Sequence, residues 1–209
     1  MLGQRVWPFH IRLLNPLTGA MKRLRAHIPA EELSVVVVTE SPSLTVFIAD
    51  LQSTLWWADE STAEGETTSV FGDGKYDPGS SLFVSLQSMT SYNGDVFVTN
   101  TFGQIILTMP GTAEEERFAR ILQMNTTIVV PIPGTEFPRN SFYLVESEGK
   151  LLLVVSGLVV GEPVVYQVDT EMRILEPVRS IGSQALFVGK NRCISVDTRK
   201  VHGIEAGSH

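Results

Sequence analysis

The residue types that could do chemistry in this chain are a serine–lysine pair, four histidines, one cysteine and one glycine-rich acidic loop. Ser147-Glu148-Gly149-Lys150 has the S-x-x-K spacing of acyl-serine enzymes, where an activated hydroxyl attacks a carbonyl. That chemistry needs the serine at a helix start and the partner motifs S-D-N and K-T-G, and neither motif occurs in the chain. With Gly149 between Glu148 and Lys150, the four residues read instead as a tight hairpin. A G-x-S-x-G nucleophile elbow is also absent. His10, His27, His202 and His209 have neither i, i+4 spacing nor neighbouring cysteines, and Cys193 alone cannot build a thiolate cluster. Gly72-Asp73-Gly74-Lys75-Tyr76-Asp77 hints at phosphate or calcium. It lacks the phosphate-loop register and the terminal glutamate of a calcium loop. Glycine and proline here punctuate a connection. No catalytic residue, cofactor or metal is assigned from these patterns.

Trp56 and Trp57 carry recognition potential rather than reactivity. Adjacent residues on a strand point to opposite faces, so one ring packs between sheets while the other is free to meet a partner. They are the candidate partner-binding residues, against the competing reading that both are structural, since large aromatics dominate core burial. Glu114-Glu115-Glu116 reads as a solvated acidic face.

The elements that must position these residues are nearly all strands. In residues 143–200 one unit recurs: YLVESEGKLLLVVSG turns on Glu148-Gly149-Lys150, PVVYQVDTEMRILEPV on Asp169-Thr170-Glu171, and QALFVGKNRCISVDTRK on Gly189-Lys190-Asn191. Upstream, strands are predicted over 11–15, 35–39, 44–50, 54–59, 82–90, 95–100, 104–109 and 127–132. Turns are predicted at Pro16–Gly19, Tyr92-Asn93-Gly94 and Thr101-Phe102-Gly103. Residues 60–66, 72–81 and 133–140 read as loops. One short helix is allowed over 112–122, capped by Thr112, with extension of its ARILQM half as the alternative. Strand pairs every twenty to twenty-five residues are the signature of a radially repeated all-β fold. About fourteen strands at four per blade make three to four blades, so the expected fold class is all-β, a partial β-propeller. The expected organisation is an irregular segment over 1–10, the propeller over 11–206 and a tail over 207–209. An arc that does not close leaves edge strands exposed, and the sequence therefore reads as a fragment or a truncated product.

Composition narrows the function classes. A net charge of −7 and a pI near 5.1 argue against a general nucleic-acid binder, which needs a basic face. Basic residues gather at Lys22, Arg23 and Arg25, and again at Lys190, Arg192, Arg199 and Lys200, beside turns where solvated rims are expected. No internal disulfide is available to Cys193, and a thiol in the apolar run RCISV suits a reducing compartment. No run approaches the roughly 20 apolar residues of a membrane span. The first ten residues lack the apolar core of a signal peptide, so the sequon at Asn125 is expected to stay unmodified. Cytoplasm or nucleus is the expected location, with no nucleic-acid or membrane partner.

LLNPLTG (13–19), WWAD (56–59), SYNGDVFVTNTFGQI (91–105), YLVESEGKLLLVV (143–155) and above all residues 165–206 resemble a known family. It is the plant F-box-associated β-propeller family, also called domain-of-unknown-function 295 or KIB-type. Residues 165–206 look like that family's last blades, where a "G…ALFLG.N.C.S" pattern is typical. The resemblance implies a propeller similar to the substrate-receptor part of F-box proteins in SCF-type ubiquitin ligases. No F-box precedes Ile11, an early Gly-Trp-Leu segment is missing, and the strand that normally follows GIEA is absent. Docking of the SCF adaptor is therefore not expected.

Three functions compete. The leading one is a non-catalytic propeller that binds a protein partner. A second is an enzyme or small-molecule binder using a central channel, with Asp73, Asp77, Glu136 and Arg139 converging there. The third is a truncated duplicate that retains no activity.

Overall fold

The computed structural model describes residues 9–28, 33–39, 44–50, 54–60, 66–69, 86–101, 103–108, 119–122, 140–157, 162–189 and 192–201. These form sixteen strands in five antiparallel sheets. A two-stranded ribbon comes first, β1 (Phe9–Leu14) and β2 (Met21–Ile28). Three four-stranded meanders follow. The first contains β3 (Leu33–Thr39), β4 (Thr45–Asp50), β5 (Thr54–Asp59) and β6 (Glu66–Ser69). The second contains β7 (Leu86–Tyr92), β8 (Asp95–Asn100), β9 (Ile105–Thr108) and β10 (Ala119–Leu122). The third contains β11 (Asn140–Ser147), β12 (Lys150–Gly157), β13 (Val164–Asp169) and β14 (Ile174–Pro177). A final ribbon pairs β15 (Gln184–Phe187) with β16 (Ile194–Asp197) and runs into a 3-10 turn, Thr198–Lys200. Three blades flanked by two half-blades make a mostly β, partial β-propeller, as the repeat in the sequence predicts.

The turns follow from residue chemistry. Asn93 (φ 52°) and Gly94 (φ 89°) join β7 to β8, and Tyr92 pairs directly with Asp95 across them. Two consecutive left-handed residues define the primed turn whose twist matches a hairpin. Glu148 (φ 50°) and Gly149 (φ 71°) do the same between β11 and β12, closing the pair Ser147–Lys150. Asp169 shapes a longer loop over 170–173, its Oδ1 accepting from the Glu171 and Met172 amides at 3.0 and 2.8 Å. At Asn15 the side chain accepts from the Leu17 and Thr18 amides, fixing the predicted Pro16–Gly19 turn.

Of the two readings open for 112–122, Ala119–Leu122 takes the extended one: it is strand β10, registered on β9 with Arg120 opposite Leu107. A short isolated helix is marginal, whereas the outer edge of β9 offers unpaired backbone groups to satisfy. The first strand begins at Phe9, inside the segment expected to be irregular, and β2 was not anticipated. Lys22, Arg23 and Arg25 lie in this strand just beyond the Asn15–Ala20 turn, with Lys22 and Arg23 exposed. Residues 72–81, 82–85, 112–118 and 127–139, with Lys190 and Asn191, lie outside the described residues, and so do the expectations that fell on them.

The core is divided between blade interfaces. Val35, Phe47, Leu55 and Trp57 of the first blade pack on Leu86, Met89, Val98 and Ile106 of the second. Phe97 and Ile105 of the second pack on Phe142, Leu144, Leu153 and Val168 of the third. Leu24, with Ile11 and Leu13, covers the other face of the first blade at Val46, Ile48 and Ala58. Fully burying one such Leu, Ile or Phe side chain contributes about 1.5–3 kcal/mol, so each seam holds the arc without any single dominant contact.

Candidate functional site

The first strands of the three blades, β3, β7 and β11, lie side by side, and β16 lies against β11. A cavity of about 440 Å³ opens between them, with Val36, Val38, Met89, Ser91, Glu146 and Arg192 among its walls. This is the axial position of the radial repeat, where a ligand would be expected.

The polar groups near the axis are largely tied to each other. Ser147 Oγ and Ser195 Oγ are 2.7 Å apart. Ser195 Oγ donates to Gln184 Oε1 at 3.0 Å, and Gln184 Nε2 donates to Glu148 Oε1 at 2.7 Å. That chain of bonds joins the β11–β12 hairpin to the β15–β16 ribbon. Ser88 serves the next seam: its Oγ accepts from the Leu144 amide at 3.0 Å and lies 3.8 Å from Cys193 Sγ. Cys193 Sγ also donates to the Gly189 carbonyl at 3.6 Å. Thr99 Oγ1 donates to the Phe142 carbonyl at 2.8 Å, and Gln87 Oε1 accepts from the Phe142 amide at 2.7 Å. Each bond satisfies a polar group that burial between blades would otherwise leave costly.

This arrangement decides the serine–lysine motif. Ser147 and Lys150 face each other as the closing pair of a hairpin. The hydroxyl is buried and bonded to another hydroxyl, while Lys150 is exposed. A nucleophile needs a base within hydrogen-bond reach and a third group to orient that base; here a second serine and an amide occupy those places. Nothing in the sequence pattern distinguished Ser88, Ser195 and Gln184 from other strand residues. The signal that existed was weak: only Ser195, between Ile194 and Val196, interrupts an apolar run.

Trp56 and Trp57 point to opposite faces, as adjacent strand residues must. Trp57 is 4% exposed, inside the interface between the first two blades. It presents no surface to a partner. Trp56 is half-buried against the cluster of Leu24, Val46, Ile48 and Ala58, which Ile11 and Leu13 also flank. Trp57 is thus placed in the blade interface, while Trp56 keeps part of its ring exposed. His10 and His27 are brought opposite each other across β1–β2 by the register, which their spacing in the chain concealed. Among the described residues, no three of His, Cys, Asp and Glu are placed to hold a metal ion. Asp73, Asp77, Glu136 and Arg139 lie outside the described residues.

Two carboxylates are electrostatically perturbed. Arg199 forks onto Asp197 at 2.9 Å from Nε and 2.9 Å from Nη2. These bonds, with the Arg199 amide bond and the charges of Arg199 and Lys200, hold Asp197 down at about 2 against the desolvation that opposes them. Asp197 thereby caps the 3-10 turn. Partial burial pushes Asp95 up from its ordinary value. Asp197 sits at a turn and Asp95 at a hairpin end, and each has a local structural cause. No helix among the described residues is long and apolar enough to cross a membrane.

None of the curated proteins compared with the chain matches it. A family model described as the KIB1-4 β-propeller matches residues 7–208, nearly the whole sequence. The blade seams, the axial strands and this match together place the chain in the KIB1-4 β-propeller family.

Proposed function

We propose that this propeller is a non-catalytic protein-interaction domain, of the kind that presents substrates in plant F-box proteins. The observation that carries the reading is the hydrogen-bonded seam Ser147–Ser195–Gln184–Glu148. The groups that would have to act on a substrate are engaged in holding one blade to the next ribbon. A catalytic site instead keeps its nucleophile and base aimed at a reacting atom. In F-box-bearing relatives such a propeller would deliver its partner to a ubiquitin ligase. In this chain the same domain is expected to bind its partner directly.

The axial cavity favours a second reading, a small-molecule site between Glu146 and Arg192. The two readings separate experimentally. Purified chain is used to capture proteins from a plant extract, and each captured protein is then tested for direct, stoichiometric binding by calorimetry. The scaffold reading expects at least one such complex, and failure to find any sinks it. A thermal-shift screen of metabolites with a reproducible stabilising hit abolished by E146Q would favour the second reading.

A further inference from the structure

We propose that the outward face of the β1–β2 ribbon docks an extended acidic segment of a partner protein. The inference deepens the scaffold reading above and rests on it. In this ribbon Leu13 is registered opposite Lys22, Arg12 opposite Arg23, and Leu14 opposite Met21. The inward face, carrying Leu13 with Ile11 and Leu24, packs on the first blade. Lys22 on that side pairs with Glu60. The outward face carries Arg12, Arg23, Leu14 and Met21. All four are exposed, Leu14 at 60% and Met21 at 64%.

Two features set this face apart from the blade interfaces. Like charges directly opposite on one sheet face repel, and such pairs are normally avoided. Here Arg12 and Arg23 stand opposite each other, and neither makes an ion pair among the described residues. The seams that join the blades to each other are lined by Val, Leu, Ile, Phe, Met and Trp, with no charged residue among their buried members. A further blade of the same kind would bury both guanidiniums without partners, at the cost of desolvating unpaired charge. Charge complementarity selects carboxylates, since each guanidinium fork can donate two parallel N–H bonds to one.

The apolar pair fixes the rest of the partner's chemistry. Leu14 lies two residues after Arg12 and Met21 two residues before Arg23 on the same face, so an extended ligand would place an apolar side chain two residues from its acidic one. Beyond them an apolar hollow of about 810 Å³ continues past Leu17 and Pro16 to Val38 and Leu44. Leu17 is 94% exposed at its rim. On a chain of net charge −7, this local basic patch would also steer an acidic segment to one place.

The test is a fluorescence-anisotropy titration of the full chain with labelled peptides in which Glu and Leu stand two residues apart between Thr spacers. Wild type is expected to bind saturably, more weakly at high salt. R12E/R23E should weaken binding roughly tenfold, since repulsion replaces the ion pairs. L14S/M21S should weaken it about fivefold through the lost apolar contact. A Lys-for-Glu peptide should not bind. If R12E/R23E is not folded by circular dichroism, R12Q/R23Q replaces it, with a smaller loss expected. Absent binding, equal binding by both charge variants, or equal binding of the Lys peptide overturns the inference. So does tighter binding of a single-stranded oligonucleotide, or self-association that R12E/R23E abolishes. A protein partner bound equally by wild type and R12E/R23E overturns the docking face while leaving the scaffold reading intact.

Discussion

Gly103 and Phe142 meet so closely that a Cβ on Gly103 would lie 2.7 Å from Phe142 Cε1 and 2.8 Å from its Cζ. Gly103 lies in the turn between β8 and β9 with φ +73°, and Phe142 is a buried residue of the next blade's first strand, β11. A turn in one blade thus seats an aromatic ring of the next.

G103A is predicted to destabilise the chain by about 2 kcal/mol or more, combining the left-handed penalty with displacement of the ring. F142A should cost about 3–5 kcal/mol. Because the two residues touch, the cost of G103A should shrink in an F142A background. Urea denaturation of the four proteins measures this cycle; strict additivity would contradict the contact.

Arg173 holds φ 57° at the end of the Asp169 loop, a conformation that L residues occupy at a cost. R173G is predicted to raise stability by about 0.5–1 kcal/mol, unlike most substitutions. A lower melting temperature for R173G would show that the side chain contributes more than its backbone strain costs.

Asp197 is held at about 2, below its unfolded value, chiefly by its hydrogen bond from Arg199. A depressed carboxylate contributes stability above its unfolded pKa and loses it as pH falls through the folded one. Stability should therefore drop between about pH 4 and pH 2, and D197N should flatten that limb. Because Arg199 and Lys200 are exposed and screened by solvent, the effect is small. Melting curves at closely spaced pH check the slope, and an unchanged slope in D197N would assign the acid limb to other groups.

Asp95 behaves oppositely, since burial raises it. Its neutral form is favoured in the folded state, so its contribution is present at low pH and lost as pH rises. D95N should stabilise the chain at neutral pH, with the gain vanishing below the ordinary carboxylate range. A gain that persists in acid would point to a lost repulsion or a better turn, not to desolvation.

The hairpins were legible because their turns are local. Asn93-Gly94 and Glu148-Gly149 carry the residue types, or at least the glycine, that left-handed angles require. β2 was missed because the charges Lys22, Arg23 and Arg25 surround Leu24 and break the apolar alternation of MKRLRAHI, and the face that Leu24 covers belongs to another blade. β10 was ambiguous because its edge partner, β9, decides its state. The Ser147–Ser195–Gln184–Glu148 seam joins residues 36 and 48 positions apart, and no local pattern encodes such a bond. The Arg12–Arg23 juxtaposition depends on a register shift between His10 and Arg12, which composition cannot supply.

The central claim is that the polar axis is structural and the molecule works by binding protein. Calorimetry of the purified chain with a partner captured from plant extract tests it most directly, comparing wild type with S147A. The account predicts a stoichiometric complex whose affinity S147A leaves unchanged, while S147A lowers stability by about 1 kcal/mol. No complex with any captured protein, together with a hydrolytic activity that S147A abolishes, would contradict it.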